Sequence, residues 1–423
     1  MRGPFYKKVL SKSSPANLPD KRDLMENYLD NPASLKIDLM LRGIRMDDPV
    51  VKAWACGCSG IDMLLPQDTL VNIPCREEFT RNSPYTVKRT GERYFITDGR
   101  GEVEVKLVER PAFYSKKTSS GVLFSDIASV HGSYTVITPS PRCDFFNRSI
   151  ECRYCAGNFD TKGSSDVVYT VEDILETVAA VLKEKASEVI YLSIGFSQGD
   201  DGGIAFLKPY IQAIKKSFNC LVAVEALPPR DNHWIDETYA LGADSVLYNL
   251  EIFDKELFEL ICPGRASLVG RKRYLESLAY AAKVFPNGTV ASHLIVGLEP
   301  PGSTCMGIDC FTEMGVVPIL PIYRPSAGKA LRIEPLTTEI ILPVYKHLYK
   351  AVKKNGINLS WVRDISMVTT PAEIRGLVDE GKGDSLMESF YKSRLGLKAA
   401  WGLSTIRRKL RVVSNNDSDP SKH

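Results

Sequence analysis

The sequence predicts an α/β protein: a partial (β/α)6 TIM-like barrel, preceded by a strand-rich N-terminal region and followed by C-terminal helices. Three observations carry this. Between about residues 133 and 333, apolar runs of strand length alternate with segments whose apolar residues recur at helical spacing. Upstream, two segments alternate apolar and polar residues around Asp98-Gly99. Beyond about 334, long amphipathic runs read as helices.

In chain order, residues 1–35 are rich in Lys, Ser, Pro and Asp and read as a flexible lead-in. Residues 36–132 read as an α+β, strand-rich region, with "RYFITDG" and "GEVEVKLVERP" forming a hairpin. The barrel opens with "YTVIT" at 134–138. A helix follows, in which Val171, Ile174, Leu175, Val178, Val181 and Leu182 share a face, and Thr170 with Asp173 suits a capping box. Strands then fall on "EVIYLSI", "CLVAVEAL", "SVLYNLEI", "TVASHLIVGLE" and "VVPILPIY". The helices between them are "GIAFLKPYIQAIKKSF", "NHWIDETYALG", "RKRYLESLAYAAKVF" and "TCMGIDCFTEMG". Such alternation demands parallel strands with right-handed crossovers, and six units fall short of a closed eightfold barrel. The extension, 334–412, holds "EIILPVYKHLYKAVKKNG", "PAEIRGLVDEG" and "SLMESFYKSRLG"; residues 413–423 read as a disordered tail.

The chain has 423 residues and a net charge of +3, too mild a balance to argue for a nucleic-acid partner. No apolar run has the length of a signal peptide or a membrane span, so a cytoplasmic protein is expected. Ten cysteines are too sparse for a disulfide scaffold.

Three of them crowd into "CDFFNRSIECRYC": Cys143, Cys152 and Cys155. The loop directly follows the first barrel strand, and loops at the C-terminal ends of parallel barrel strands build active sites. A cytosolic location disfavours a disulfide. Structural zinc needs four ligands, so a distant Cys56 or Cys58 would have to complete the set. An iron–sulfur cubane on three cysteines leaves one iron open to an external ligand. Inert packing thiols are the third possibility.

The Cys152-Arg-Tyr-Cys155 run, after the first strand of a six-unit barrel, resembles the cluster loop of the radical S-adenosylmethionine (radical SAM) superfamily. The barrel is most similar to the biotin synthase and HydE-like branch, over about residues 130–330. The spacing here is C-x8-C-x2-C, where the usual first spacing is three. The resemblance implies a 4Fe-4S cluster on Cys143, Cys152 and Cys155, and S-adenosylmethionine (SAM) as the second cofactor. It implies SAM contacts from Tyr154, from Gly195, Ser197 and Gln198 in "SIGFSQGDDGG", and from Asn249 and Glu251 in "LYNLEIFD". Gly297 and Glu299 near the adenine, and Arg324 toward a carboxylate, complete the set, with Arg271 and Arg273 weaker candidates. Glu251 is expected to serve SAM and not the fold. The implied activity is reductive SAM cleavage, giving a 5′-deoxyadenosyl radical that abstracts hydrogen from an unidentified small-molecule or protein-bound substrate. A ferredoxin- or flavodoxin-type electron donor and oxygen sensitivity follow. The alternative is a zinc-binding α/β protein without radical chemistry. His293 reads as core or lining, Asp200 and Asp201 as a turn, and Cys56, Cys58, Cys75, Cys220, Cys262, Cys305 and Cys310 as packing. Phe113, Tyr114 and His131 are expected either at the barrel rim or in the junction with the N-terminal region.

Overall fold

The computed structural model describes residues 28–46, 60–155, 167–197, 199–324, 331, 333, 336–359, 362, 364–378 and the isolated positions 396, 399, 402, 405 and 406. Cys56, Cys58, Gln198, residues 1–27 of the lead-in, the tail, and all of "SLMESFYKSRLG" but its last glycine lie outside them.

The first α-helix, α1 (Pro32–Arg42), is buried and begins where a flexible lead-in was expected to run into an α+β, strand-rich region. Its N-cap is Asn31, whose side chain accepts from the Ala33 and Ser34 N–H groups. The sequence hides this helix because its polar residues are spent inside. Lys36, fully buried, donates to Glu373 at 2.8 Å and to the Ile365 carbonyl at 2.9 Å. Asp38 accepts from Tyr85 at 2.6 Å and Arg42 at 3.0 Å. Buried charges persist only when paired in this way.

Strands β1 (Gly60–Leu65), β2 (Thr69–Pro74), β3 (Thr86–Thr90), β4 (Arg93–Thr97) and β5 (Glu102–Leu107) form an antiparallel sheet in the order β2-β1-β5-β4-β3. The expected hairpin is β4/β5, with Thr97 opposite Glu102. Asp98 closes its turn by accepting from the Arg100 and Gly101 N–H groups.

A short helix, α2 (Phe124–Ile127), leads to the second sheet. Its strands are β6 (Ala128–His131), β7 (Tyr134–Ile137), β8 (Val189–Ser193), β9 (Leu221–Glu225), β10 (Ser245–Leu247), β11 (Val290–His293) and β12 (Val317–Ile319). They lie in sequence order, parallel from β7 to β12, with β6 antiparallel at one edge. This is the partial barrel, and β6, upstream of residue 133, is part of its sheet. The helices beside it are α3 (Asp144–Asn147), α4 (Val171–Glu184), α5 (Ile204–Ser217), α6 (His233–Leu241), α7 (Lys255–Ile261), α8 (Pro263–Leu268), α9 (Arg271–Val284) and α10 (Pro301–Glu313). The Thr170–Asp173 capping box on α4 is formed in both directions. The pair α7/α8 was not expected: each is under eight residues and the chain breaks at Cys262 before Pro263 opens the second, so neither shows a long helical pattern.

After α11 (Thr338–Lys354), the chain returns before α12 (Pro371–Val378) and crosses the open side of the barrel. Val368 pairs with Pro321 beyond β12, the Ser133 N–H bonds the Asp364 carbonyl at 2.9 Å beside β6 and β7, and the Asn72 N–H in β2 bonds the Ser366 carbonyl at 2.7 Å. One segment therefore ties both edges of the curved sheet to the N-terminal sheet. Gly132 permits the approach: with φ +71°, a Cβ there would lie 2.5 Å from the Asp364 carbonyl oxygen. At the junction, Phe113 is fully buried against Phe124 and Tyr114, and the Tyr114 hydroxyl accepts from the Val130 N–H at 2.6 Å. Phe113 and Tyr114 thus pack the junction, whereas His131 lines the barrel cavity. Among the described residues, no helix is long and apolar enough to cross a membrane.

Candidate functional site

The cysteine loop leaves β7 and is gripped from two sides. On the β8 side, the Asp144 N–H bonds the Phe196 carbonyl at 2.8 Å, and the Phe145 and Phe196 rings stack with centroids 4.3 Å apart. Gly195 lies so near Cys143 that a Cβ on it would sit 2.6 Å from the Cys143 Cβ. Gly195, expected at SAM, therefore seats the cysteine loop. On the opposite side, the Arg153 N–H bonds the Ile261 carbonyl at 2.9 Å, and the Gly264 N–H bonds the Ile150 carbonyl at 3.0 Å.

This second pairing brings Cys262 against Cys152. The Cys262 thiol donates to Cys152, and this bond, with the Arg265 guanidinium, holds the Cys152 thiol below its ordinary pKa. Burial pushes Cys143 up instead. Cys262, read from sequence as packing, is thus a neighbour of the cysteine loop as well as a core residue. The spacing of 107 positions from Cys155 gave no signal of it.

Beside the loop, the upper ends of β8 to β11 carry a linked polar layer. Glu225 accepts from Ser193 at 2.7 Å and from the Asn249 amide at 2.5 Å. The Asn249 oxygen accepts from the His293 N–H at 3.1 Å. Both ends of Asn249 are thereby engaged within the fold, so its place is to hold Glu225, and it does not line the cavity. Arg265 donates to the Asn249 carbonyl at 2.6 Å and the Tyr274 hydroxyl at 3.1 Å, and pairs with Glu251 at 3.4 Å. Glu251 is only 5% exposed and has φ +73°, a conformation that a glutamate adopts at a cost. Its Oε2 makes no hydrogen bond and lies 3.9 Å from His293 Nδ1. A buried carboxylate oxygen with unspent acceptor capacity, at a cavity wall, is a place for a ligand's donor.

The cavity, about 510 Å³, occupies the barrel interior. Tyr154, Glu251 and Arg324 line it, as do Tyr191, Glu225 and His293. Gly195, Ser197, Gly297 and Glu299 do not. Glu299 is a correction: its carboxylate accepts from the Phe253 and Asp254 N–H groups at 3.0 and 2.7 Å and from Thr304 at 3.3 Å, tethering the turn before α7. Burial raises its pKa to about 7. Gly297, at φ +103°, turns the chain after β11. Arg271 and Arg273 donate to the Phe253 and Pro229 carbonyls. Asp201 caps α5 through the Ala205 N–H, and Asp200 pairs with Arg230. Glu225 was missed although a signal existed: it is the lone charge ending an apolar strand. Arg265 had none, since its partners come from other elements.

Residues 137–300 match the family model described as the Radical SAM superfamily. The matched segment holds Cys143, Cys152 and Cys155. Over 108 residues the chain is 28% identical to a bacteriochlorophyllide c C-7(1)-hydroxylase of Chlorobaculum limnaeum, covering 25% of this chain and 27% of that protein. The chain therefore matches about a quarter of that relative's length. Among solved structures it is similar to methylornithine synthase, at 15% identity and a TM-score of 0.42, over 57% of this chain and 76% of that one. It is also similar to Streptococcus suis SuiB bound to S-adenosylmethionine, at 11% identity and a TM-score of 0.38, over 62% and 54%.

Proposed function

We propose that this chain is a radical SAM enzyme. It holds a 4Fe-4S cluster on Cys143, Cys152 and Cys155, takes an electron from a ferredoxin- or flavodoxin-type donor, and acts on a small molecule inside the barrel. The observation that carries this reading is the coincidence of the three-cysteine loop with the segment that matches the Radical SAM family model, at the C-terminal end of the first parallel strand.

The donor set suits the cluster. In a cubane each thiolate binds its own iron, so three sulfurs need not converge on one ion. Bound together, the cluster and SAM supply one-electron cleavage of a carbon–sulfur bond and a carbon radical that abstracts hydrogen. The chain's own residues bind and shield. The free Oε2 of Glu251 accepts a hydroxyl or ammonium of SAM, Tyr154 covers the loop side, and Glu225 is held rigid by Ser193 and Asn249. The 364–368 segment and the N-terminal sheet close the side of the barrel against water.

The test is anaerobic reconstitution, an iron and sulfide count, reduction with dithionite and addition of SAM. About four irons per chain and release of 5′-deoxyadenosine are expected. A colourless protein holding stoichiometric zinc would overturn the reading.

A further inference from the structure

We infer that the substrate is a predominantly hydrocarbon small molecule carrying one acidic group, its apolar body inside the barrel below the Glu225–Glu251–His293 layer and its acid on Arg324. This inference rests on the radical SAM reading and deepens it.

Side chains alternate along strands, so every second residue of each barrel strand points inward. In β8 to β12 the inward residues include Val189, Leu221, Ala223, Leu247, Ala291 and Ile319. Closed barrels fill this space with layers of large branched side chains. Here Ala223 and Ala291, on the two strands flanking β10, supply only methyl groups, and the interior stays open. A volume of about 510 Å³ is of the size of small-molecule pockets. The closing segment continues the same wall with Ile365, Met367 and Val368.

The polar groups of the cavity are unevenly placed. Glu225, Glu251 and His293 form one layer at the cysteine end. Asp244, at the opposite end, is already satisfied by Lys215 and the Val222 N–H, both at 2.9 Å. His131, at the same end, is bonded to Ser129 at 2.9 Å. SAM, with its amino acid, sulfonium and ribose, needs the polar layer. Ser245 and Thr289 on the remaining wall spend their hydroxyl protons on the Thr289 and Pro286 carbonyls, and the aliphatic side chains around them suit a hydrocarbon.

Arg324 stands apart from that layer. It lines the cavity beyond β12 and donates to the Asn72 carbonyl of β2 at 3.1 Å, and among the described residues no carboxylate lies within ion-pair distance of it. Burial lowers its pKa to about 10, against the opposing pull of Glu77. A guanidinium so placed is suited to a carboxylate, which it binds through paired N–H groups.

The experiment uses the full-length protein under anaerobic conditions, with cis-parinaric acid and its methyl ester as fluorescent probes. Saturable one-to-one binding of the acid is expected. Ala223→Phe and Ala291→Leu, on different strands, should each weaken both probes about tenfold or more while leaving the circular dichroism spectrum intact. Arg324→Gln should weaken the acid about tenfold and the ester less than twofold, the loss expected for a charge-assisted hydrogen bond. Absence of saturable binding, or binding that both filling variants leave unchanged, overturns the hydrocarbon site. Equal losses for acid and ester in Arg324→Gln overturn the acid contact. Iron content and 5′-deoxyadenosine release, measured on the same samples, report separately on the radical SAM reading. A protein that cleaves SAM but ignores both probes loses only the substrate class. One that binds the acid yet neither holds iron nor cleaves SAM overturns the enzyme reading, and with it the cavity's role as a substrate site.

Discussion

Glu251 serves two ends at once, which separates it from a simple ligand contact. One oxygen faces Arg265 at 3.4 Å and the other has no hydrogen-bond partner. Glu251→Gln should therefore weaken SAM binding about ten- to a hundredfold and also lower the melting temperature, because it strands a buried guanidinium. The expectation that Glu251 leaves the fold alone is corrected by that pair. Adding Arg265→Gln should restore part of the stability but none of the SAM affinity. A single variant with unchanged melting temperature would remove the pair from the stability account. Cys262 makes a different case. Cys262→Ala leaves the three proposed ligands in place, so iron content should be retained. The lost hydrogen bond to the Cys152 sulfur should lower the cluster's reduction potential, since such bonds favour the more negative, reduced state. An electron paramagnetic resonance redox titration with no shift would reduce Cys262 to packing. Glu299 titrates with the fold. Its pKa is raised by burial to about 7, so its contribution is present below its unfolded pKa and is lost as pH rises through about 7. Thermal melts from pH 4.5 to 7.5 should show Glu299→Gln gaining on the wild type as pH rises. Parallel curves would contradict this.

At the scale of elements, the cysteine loop depends on two supports that are themselves parts of the barrel. The β8 loop supplies Gly195 and Phe196, and the α7/α8 turn supplies the Ile261 carbonyl and Gly264. Gly264 allows close approach too, for a Cβ there would lie 2.5 Å from the Phe145 ring. Gly195→Ala should push Cys143 away from its neighbours and lower reconstituted iron several-fold, while melting temperature changes little. The clash falls on a loop and leaves the sheet intact. Full iron content in Gly195→Ala would show that the loop shifts without penalty.

At the scale of the whole molecule, a curved sheet of six parallel strands has two edges, and edges left open expose unpaired backbone groups. Here β6 covers one, the Pro321–Val368 bridge covers part of the other, and the N-terminal sheet docks on the segment between them. Helix α1 is bound into the same assembly through Lys36 to Glu373 and through a hydrogen bond from Thr338 to Asp38. A protein starting near residue 130 should thus be insoluble, or cleave SAM without turning over substrate, since the Asn72 contacts that hold the closing segment at Ser366 and seat Arg324 are gone. A soluble truncated barrel with full substrate turnover would show the N-terminal region to be an appendage.

The sequence by itself determined the barrel and the cysteine loop. Both are written in local patterns: alternating apolar periods that only parallel βα units satisfy, and three thiols within thirteen residues. It also pointed to Glu251 and Arg324 at the cavity, because a polar residue at the end of an apolar strand is locally visible. Only the tertiary structure decided the rest. Helix α1 was invisible because Lys36 and Asp38 reach Glu373 and Thr338, 337 and 300 positions away. Cys262 and Arg265 reach the site through a turn whose meaning depends on what packs against it. Asn249 and Glu299 carry the right chemistry for a ligand, yet their hydrogen bonds are spent within the fold. Spacing along the chain records which groups are available. Which of them remain unsatisfied, and so free to bind, is settled by the long-range contacts that folding creates.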